Sequence, residues 1–290
     1  MKVSSNKLKD VLKYYADQLT KIYDELESKS IMYQLIGHFF KYERIDFIKS
    51  QEIRLSESEL LTVHFAVKEL LLNKPLQYVI GETEFLDLRI MVNEHVLIPR
   101  PETEELVQLI CEREIAKNGV LRILDVGCGS GCIGIALKKN LGSTDVYGLD
   151  ISENALKLAK ENAELNDADL HFILCDILDV EKWNDLGTFE IVVSNPPYIR
   201  ESEKKLIRKN VLEFEPLHAL FVKDEDPLLF YRKIAQFCEN HLTKNGTLYF
   251  EINEAFGRET KEMLVLMRFK SVEIYKDING KDRLIRAKKN

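Results

Sequence analysis

Apolar residues in the first seventy positions recur at intervals of three and four. Leu8, Val11, Leu12, Tyr15, Leu19, Ile22 and Leu26 form one such stripe, and Ile31, Leu35, Ile36, Phe39 and Phe40 continue it. This spacing places one face of a helix on a core. Ser56, with Glu59 three residues later, makes a capping box ahead of Leu60, Leu61, Phe65, Leu70, Leu71 and Leu72, and Asn73-Lys74-Pro75 closes that helix. Residues 1–73 are therefore predicted to form a small antiparallel helical bundle, of a size at which a lone core is only marginally stable. From Gln77 to Ile98 the period shortens to two. Thr83 to Leu86 and Leu88 to Val92 alternate around Asp87, so residues 74–98 read as a β-hairpin linker.

Residues 99–290 read as one catalytic domain. A helix is predicted from about Thr103 to Lys117, preceded by Arg100 between two prolines. Strands and helices then alternate: strands at Arg122 to Val126, Asp145 to Asp150, Leu170 to Asp176, Phe189 to Ser194 and Gly246 to Ile252, with helices beginning at Cys132, Ser152 and Leu228. A last helix and two antiparallel edge strands, Ser271 to Tyr275 and Asp282 to Ala287, complete the chain. The fold class is α/β, a doubly wound, mostly parallel seven-stranded sheet with an N-terminal helical bundle joined by the hairpin.

Composition narrows the class. No apolar run in the 290 residues approaches the roughly 18 needed to span a bilayer, and the N-terminus has no signal-peptide core, so a cytoplasmic protein is expected. Five scattered cysteines fit reduced core thiols, and the pair Cys128 and Cys132 has no partner pair to complete a zinc site. A net charge of −7 argues against a broad electrostatic grip on nucleic acid.

Ligands of such sheets bind outside the carboxyl ends of the strands, where the informative polar residues gather. Gly127, Cys128, Gly129, Ser130 and Gly131 form a turn after the first strand, and its glycines let backbone approach a ligand closely. Asp150 ends the second strand, placed to accept two ribose hydroxyls. Asp176, followed by Ile177, ends the third, within reach of an adenine. Asn195-Pro196-Pro197-Tyr198 follows the fourth. Its prolines lack N–H groups and stop the strand ladder, which is one sufficient reason for their presence. Asn195 also offers an acceptor and a donor, and Tyr198 a flat apolar face, a set suited to a planar N–H2 group.

Gly129 to Gly134 spells G-x-G-x-x-G, so the glycines alone leave an NAD-binding dehydrogenase and an S-adenosylmethionine enzyme both open. Asp125, two residues before the first glycine, would oppose a pyrophosphate and suit the ammonium end of a methionine moiety. Hydride transfer has no use for Asn-Pro-Pro-Tyr. Methyl transfer to a poorly nucleophilic nitrogen does: acceptors on both N–H bonds, from Asn195 and the Pro196 carbonyl, would hold it in line, a placement able to lower a barrier by roughly 7–11 kcal/mol. Arg100 could form a surface ion pair, but its bracketing by prolines favours the rim of the pocket.

With Pro75-Leu76-Gln77-Tyr78, Gly81 to Phe85, Ile98-Pro99-Arg100-Pro101-Glu102-Thr103-Glu104, Asp125 to Gly131, Ser194 to Ile199 and Phe214-Glu215-Pro216, the chain resembles the peptide chain release factor N5-glutamine methyltransferases of the HemK/PrmC family. The resemblance implies a class I methyltransferase, Rossmann-like, with S-adenosylmethionine as cofactor. By it, Gly127, Cys128, Gly129, Ser130, Gly131, Asp150, Asp176, Ile177 and Asn195 would contact the cofactor, with Ile177 standing where some members carry an aromatic residue. Asn195, Pro196, Pro197, Tyr198 and Arg100 would meet the glutamine of the Gly-Gly-Gln motif of class 1 release factors, and Asn195, Pro196 and Tyr198 would carry the catalysis. A monomer is expected, without metal, membrane or direct nucleic-acid partner, its helical domain either docking the release factor or serving as a stabilising cap. Asn-Pro-Pro-Tyr is shared with adenine N6 and guanine N2 enzymes, so a nucleic-acid amino methyltransferase is the main alternative. That class calls for a basic surface, which this acidic chain lacks.

Overall fold

Asp24 decides how the first apolar stripe folds. Helix α1 (Leu8–Leu19) stops before it, and α2 (Glu25–Phe40) starts after it, with the Asp24 carboxylate accepting from the Glu27 amide at 2.8 Å as an N-cap. Ile22 and Leu26, expected on one continuous stripe, therefore fall out of phase, and Leu26 is 80% exposed. The structure, a computed structural model, describes residues 5–114 and 120–290. They divide into two units, one running to Gly81 and including Arg208–Phe214, the other comprising Glu82–Ile207 and Glu215–Asn290.

In the first unit, α3 (Arg44–Ile48) is followed by α4 (Glu57–Leu70), which begins with the capping box read from the sequence: Ser56 Oγ accepts from the Glu59 amide and Glu59 Oε2 from the Ser56 amide. Pro75 does more than stop α4. Its φ of −54° suits a helix start, and α5 (Leu76–Ile80) runs from it to Gly81, where φ is +88°. Residues 77–80, expected in the two-residue period, are helical. Leu8, Val11, Tyr15, Leu35, Val63 and Leu70 form the core of this unit, while Leu61 and Phe65 on α4 stay exposed.

The second unit begins with the hairpin, β1 (Glu82–Phe85) and β2 (Leu88–Met91), joined by Leu86 and Asp87, both at positive φ as a tight two-residue hairpin requires. Then come α6 (Pro101–Glu114), β3 (Leu121–Val126), α7 (Cys132–Asn140), β4 (Thr144–Asp150), α8 (Glu153–Leu165), β5 (Leu170–Leu174), β6 (Phe189–Ser194) and β7 (Ile199–Arg200). The short α9 (Lys209–Phe214) belongs to the first unit. The chain continues through β8 (Phe221–Val222), α10 (Leu229–His241), β9 (Leu242–Glu251), α11 (Gly257–Leu266), β10 (Lys270–Lys276) and β11 (Asp282–Lys288). Helix α6 starts at Pro101 rather than Thr103, and its expected end at Lys117 lies outside the described residues. Strand β5 stops at Leu174, so Asp176 sits in the loop beyond it.

Seven strands form one sheet in the order β10-β11-β9-β6-β3-β4-β5. The five strands from β9 to β5 are mutually parallel; β11 runs antiparallel to them, and β10, antiparallel to β11, runs in their direction again. Only β10 of the last two is an edge strand, because β11 pairs with both β10 and β9. The order reverses between β3 and β6, which opens a crevice at their carboxyl ends. Leu124, Val126, Val192, Leu248 and Phe250 on one sheet face pack with Tyr231, Ile234 and Phe237 of α10, each contributing on the order of 1.5–3 kcal/mol by burial. On the other face α7 lies close to the sheet: a Cβ at Gly134 would stand 2.9 Å from Leu170 Cδ2, so the third glycine of the G-x-G-x-x-G match is a packing requirement.

Candidate active site

At the crevice lies a cavity of about 480 Å³, lined by the turn after β3, the ends of β4 and β6, and the loop before α6. That size is within the range of small-molecule sites. Gly127 and Gly129 take φ of +73° and +53°, conformations that other residues adopt at a cost, and a Cβ at either would meet nothing within 4 Å. The turn is thus dictated by its backbone and leaves space for a ligand.

Asp150 is 8% exposed, and each of its oxygens takes one backbone amide, Oδ2 from Gly129 and Oδ1 from Ser152, both at 2.9 Å. Each carboxylate oxygen has a second lone pair to offer a hydroxyl. Asp176 Oδ1 accepts from the Leu178 amide, and Asp176, Ile177 and Ile151 line the same end of the site. Cys128, Ser130 and Asn195 are also in the lining, and Gly131 turns the chain into α7. Asp125, read from the sequence as a charge beside the turn, acts from beneath it. It is 1% exposed and does not line the cavity; its Oδ2 accepts from Gly134 on the α7 face, and Oδ1 is buried with no hydrogen-bond partner. Burial, with the nearby charge of Asp150, pushes its carboxyl up to about 7. A cation in the cavity would act on Asp125 through its field rather than by contact.

Asn195 stands one residue beyond Ser194, and Ser194 is in register with Phe250 of the neighbouring β9. Glu251, the next residue of β9, is therefore its neighbour across the strand ends. Asn195 Nδ2 donates to Thr103 Oγ1 at 3.2 Å, and Thr103 Oγ1 donates to Glu251 Oε2 at 2.7 Å. Among the described residues, none donates to Asn195 Oδ1 or to the Pro196 carbonyl, and both residues line the cavity. Tyr198 is turned the other way from the sequence expectation. Its hydroxyl donates to Glu251 Oε1 at 3.0 Å, its ring packs on the sheet core, and it is absent from the lining. The buried carboxylate acceptor draws it off the cavity. Burial and the Glu251 charge raise the Tyr198 hydroxyl well above the usual phenol range.

Arg100 lines the cavity and also pairs with Glu215, Nη2 to Oε1 at 2.6 Å, while Glu215 Oε2 accepts from the Ile98 amide. The heptad from Ile98 to Glu104 is thus a junction. Arg100 holds the Glu215 segment, Thr103 meets Asn195 and Glu251, and Glu104 accepts from the Leu86 amide of the hairpin turn. Sequence reasoning missed Thr103, Glu251 and Glu215 as members of the site. Thr103 and Glu215 lie in stretches that carry the family resemblance; Glu251, the acid at the end of a predicted strand, carries no local signal.

A doubly wound sheet with a glycine turn, a strand-end acid and Asn-Pro-Pro at one cavity defines a class I methyltransferase. A family model of a methyltransferase domain matches residues 117–273, and one of the PrmC N-terminal domain matches residues 10–81. The chain is 46% identical to a release factor glutamine methyltransferase of Flavobacterium psychrophilum over 97% of this chain and 98% of that protein, and 40% identical to one of Bacteroides thetaiotaomicron over 94% and 97%. It belongs to the release factor glutamine methyltransferase family. Among solved structures, a methyltransferase from Pyrococcus furiosus, 17% identical, superposes with a TM-score of 0.51 over 71% of this chain and 90% of that one, which shows the shared fold.

The cavity suits S-adenosylmethionine on its own residues. Asp150 keeps lone pairs for a ribose, Ile151 and Ile177 offer apolar faces to a purine, and the buried, unpartnered Asp125 Oδ1 lies beneath the turn where positive charge is favourable. Among the described residues no cluster of three or more His, Cys, Asp or Glu side chains could hold a metal, and no helix is long and apolar enough to cross a membrane.

Proposed function

We infer that this protein methylates the side-chain amide nitrogen, N5, of the glutamine in the Gly-Gly-Gln motif of class 1 peptide chain release factors. The observation that carries this reading is the pair of acceptors left open in the cavity, Asn195 Oδ1 and the Pro196 carbonyl. A primary amide presents two N–H donors to such a pair. When bound, S-adenosylmethionine supplies an electrophilic methyl group, held by the glycine turn, Asp150, Asp176 and Ile177. Asn195 and Pro196 accept the two N–H bonds and turn the nitrogen lone pair toward that methyl, and Pro197 walls the pocket. Alkylation makes the nitrogen acidic, so its proton passes to water without a dedicated base. Glu251 is unsuited to that task, because it is buried and does not line the cavity. Arg100 shapes the rim through its pair with Glu215.

The helical unit is assigned to docking the folded release factor, with exposed Leu61 and Phe65, one turn apart on α4, as contact residues. Changing both to Glu should reduce methylation of an intact release factor much more than that of a short Gly-Gly-Gln peptide; equal losses would remove α4 from the docking surface. The protein is read as a cytoplasmic monomer with no direct nucleic-acid substrate. Incubation with methyl-labelled S-adenosylmethionine and a class 1 release factor, followed by peptide mass mapping, tests the main reading. One methyl on the Gly-Gly-Gln glutamine is expected, and label confined to other residues or to nucleic acid would overturn it.

A further inference from the structure

We propose that Thr103 and Glu251 are positioning residues that fix which way round the Asn195 amide faces, so that the site accepts an N–H2 group. The inference rests on the reading that Asn195 and Pro196 receive the substrate nitrogen.

Donor direction along the chain of bonds carries the argument. An ionised carboxylate only accepts, and a hydroxyl has a single hydrogen. With Thr103 Oγ1 at 2.7 Å from Glu251 Oε2, that hydrogen is committed to the carboxylate, and Thr103 has only lone pairs left for Asn195. The amide can meet lone pairs only with its N–H2, which it does at 3.2 Å. A carboxamide is planar with nitrogen and oxygen on opposite sides of its carbon, so Oδ1 is turned away from Thr103 and becomes the acceptor. The far end of the relay is fixed too. Glu251 is 1% exposed and burial raises its carboxyl, a shift opposed by the Thr103 and Tyr198 hydroxyls at 2.7 and 3.0 Å and by the positive charge of Arg283; with both hydroxyls donating to it, it is the acceptor end of the relay. Arg283 is itself tied to Asp277, to Glu254 and to the Ile252 carbonyl. A reversed Asn195 would set its oxygen against the Thr103 lone pairs and point N–H2 at the substrate's own donors. The relay thereby separates a carboxamide from a carboxylate: glutamine supplies the donors the site needs, and glutamate has none.

Two measurements test this on the full chain. The first follows the Asn195 side-chain N–H2 signals by NMR in protein labelled at asparagine, identified by their loss in Asn195→Asp. One of the two protons should be protected from exchange with water in the wild type and in Thr103→Ser, and unprotected in the near-isosteric Thr103→Val. The second is turnover on a release factor. Thr103→Val should lower kcat on the order of 10-fold to 10²-fold, the scale of a small misplacement at a reacting centre, with cofactor affinity and KM unchanged and most of the loss restored by Thr103→Ser. Unchanged protection in Thr103→Val overturns the relay. So does a parallel fall of kcat, cofactor affinity and thermal midpoint that serine fails to restore, since that is the pattern of a merely structural threonine. A wild type that methylates no glutamine would sink the functional reading, and the exchange measurement would still decide the relay.

Discussion

The glycine turn after β3 and the Asn195-Pro196-Pro197 segment after β6 end neighbouring parallel strands and line one cavity, yet they are held in different ways. The turn is fixed locally. Gly127 and Gly129 supply left-handed backbone, the Gly127 and Cys128 amides bond to Leu149, and the Gly129 amide bonds to Asp150 on the adjacent strand. The Asn195 segment is fixed from afar, by Thr103 at a separation of 92 residues and through it by Glu251, 148 residues from Thr103. A cofactor shared among many methyltransferases meets the part built from backbone. On the proposed reading the substrate meets the part built from side chains, where the Thr103 hydroxyl sets the direction of the Asn195 amide.

The largest effect is expected at Asn195. Asn195→Ala removes the acceptor aimed at the substrate nitrogen, a contact realised mainly in the transition state. Turnover should fall by about 10²–10³ or more, the cost of one preorganised polar group in other enzymes, with cofactor affinity retained. Single-turnover methylation and calorimetric cofactor titration check it, and a folded Asn195→Ala enzyme with near-normal turnover would rule out the substrate role. Asp150→Ala is the converse. Charge-assisted bonds to two hydroxyls are worth about 1.5–3 kcal/mol, so the cofactor Kd should rise tenfold to more than a hundredfold while saturated turnover changes little. An unchanged Kd would remove Asp150 from the ribose.

The same contrast explains what could be read in the chain before folding. The alternating strands, the glycine turn, the Ser56 capping box and the strand-stopping prolines are local signals, and each is present, though β5 ends at Leu174 rather than Asp176 and β9 begins at Leu242 rather than Gly246. The break at Asp24 was hidden because an N-cap inside an apolar stripe looks like one polar residue among others. Tyr198 read as a substrate face because its true partner, Glu251, is brought beside it only by the β6 and β9 register. Asp125 read as a charge beside the glycine turn, and which face of the strand carries it was not legible in the spacing; its side chain falls on the α7 side.

Arg100 occupies the middle of the comparison, lining the cavity while clamping Glu215. Glu215 is buried and Arg100 about one-third exposed, so the pair is screened on one side and worth less than a fully buried one. Arg100→Met should cost about 1–2 kcal/mol of stability, and in a double-mutant cycle with Glu215→Gln most of that should appear as coupling between the two. Denaturant unfolding of the four proteins measures it. Strict additivity would free Arg100 from the clamp and leave it a rim residue facing substrate alone.

A pH-dependent effect concerns the turn's own foundation, Asp125. Its carboxyl is raised in the folded protein to about 7 by burial, against an ordinary value near 4 in the unfolded chain. Between those two values the folded state binds the proton and the unfolded state does not, so folding loses stability as pH climbs from about 4 to about 7, and the loss is complete above the folded value. Asp125→Asn keeps the shape and an acceptor for Gly134 but carries no charge at any pH. Its stability relative to the wild type should therefore rise steadily from pH 5 to pH 8, read as the difference between two urea unfolding series. A bound cation above the glycine turn favours the ionised carboxylate, so saturating S-adenosylmethionine should flatten that difference. A gap between the two proteins that stays constant with pH would mean that Asp125 is ionised throughout, and that its unpartnered oxygen finds a donor in solution.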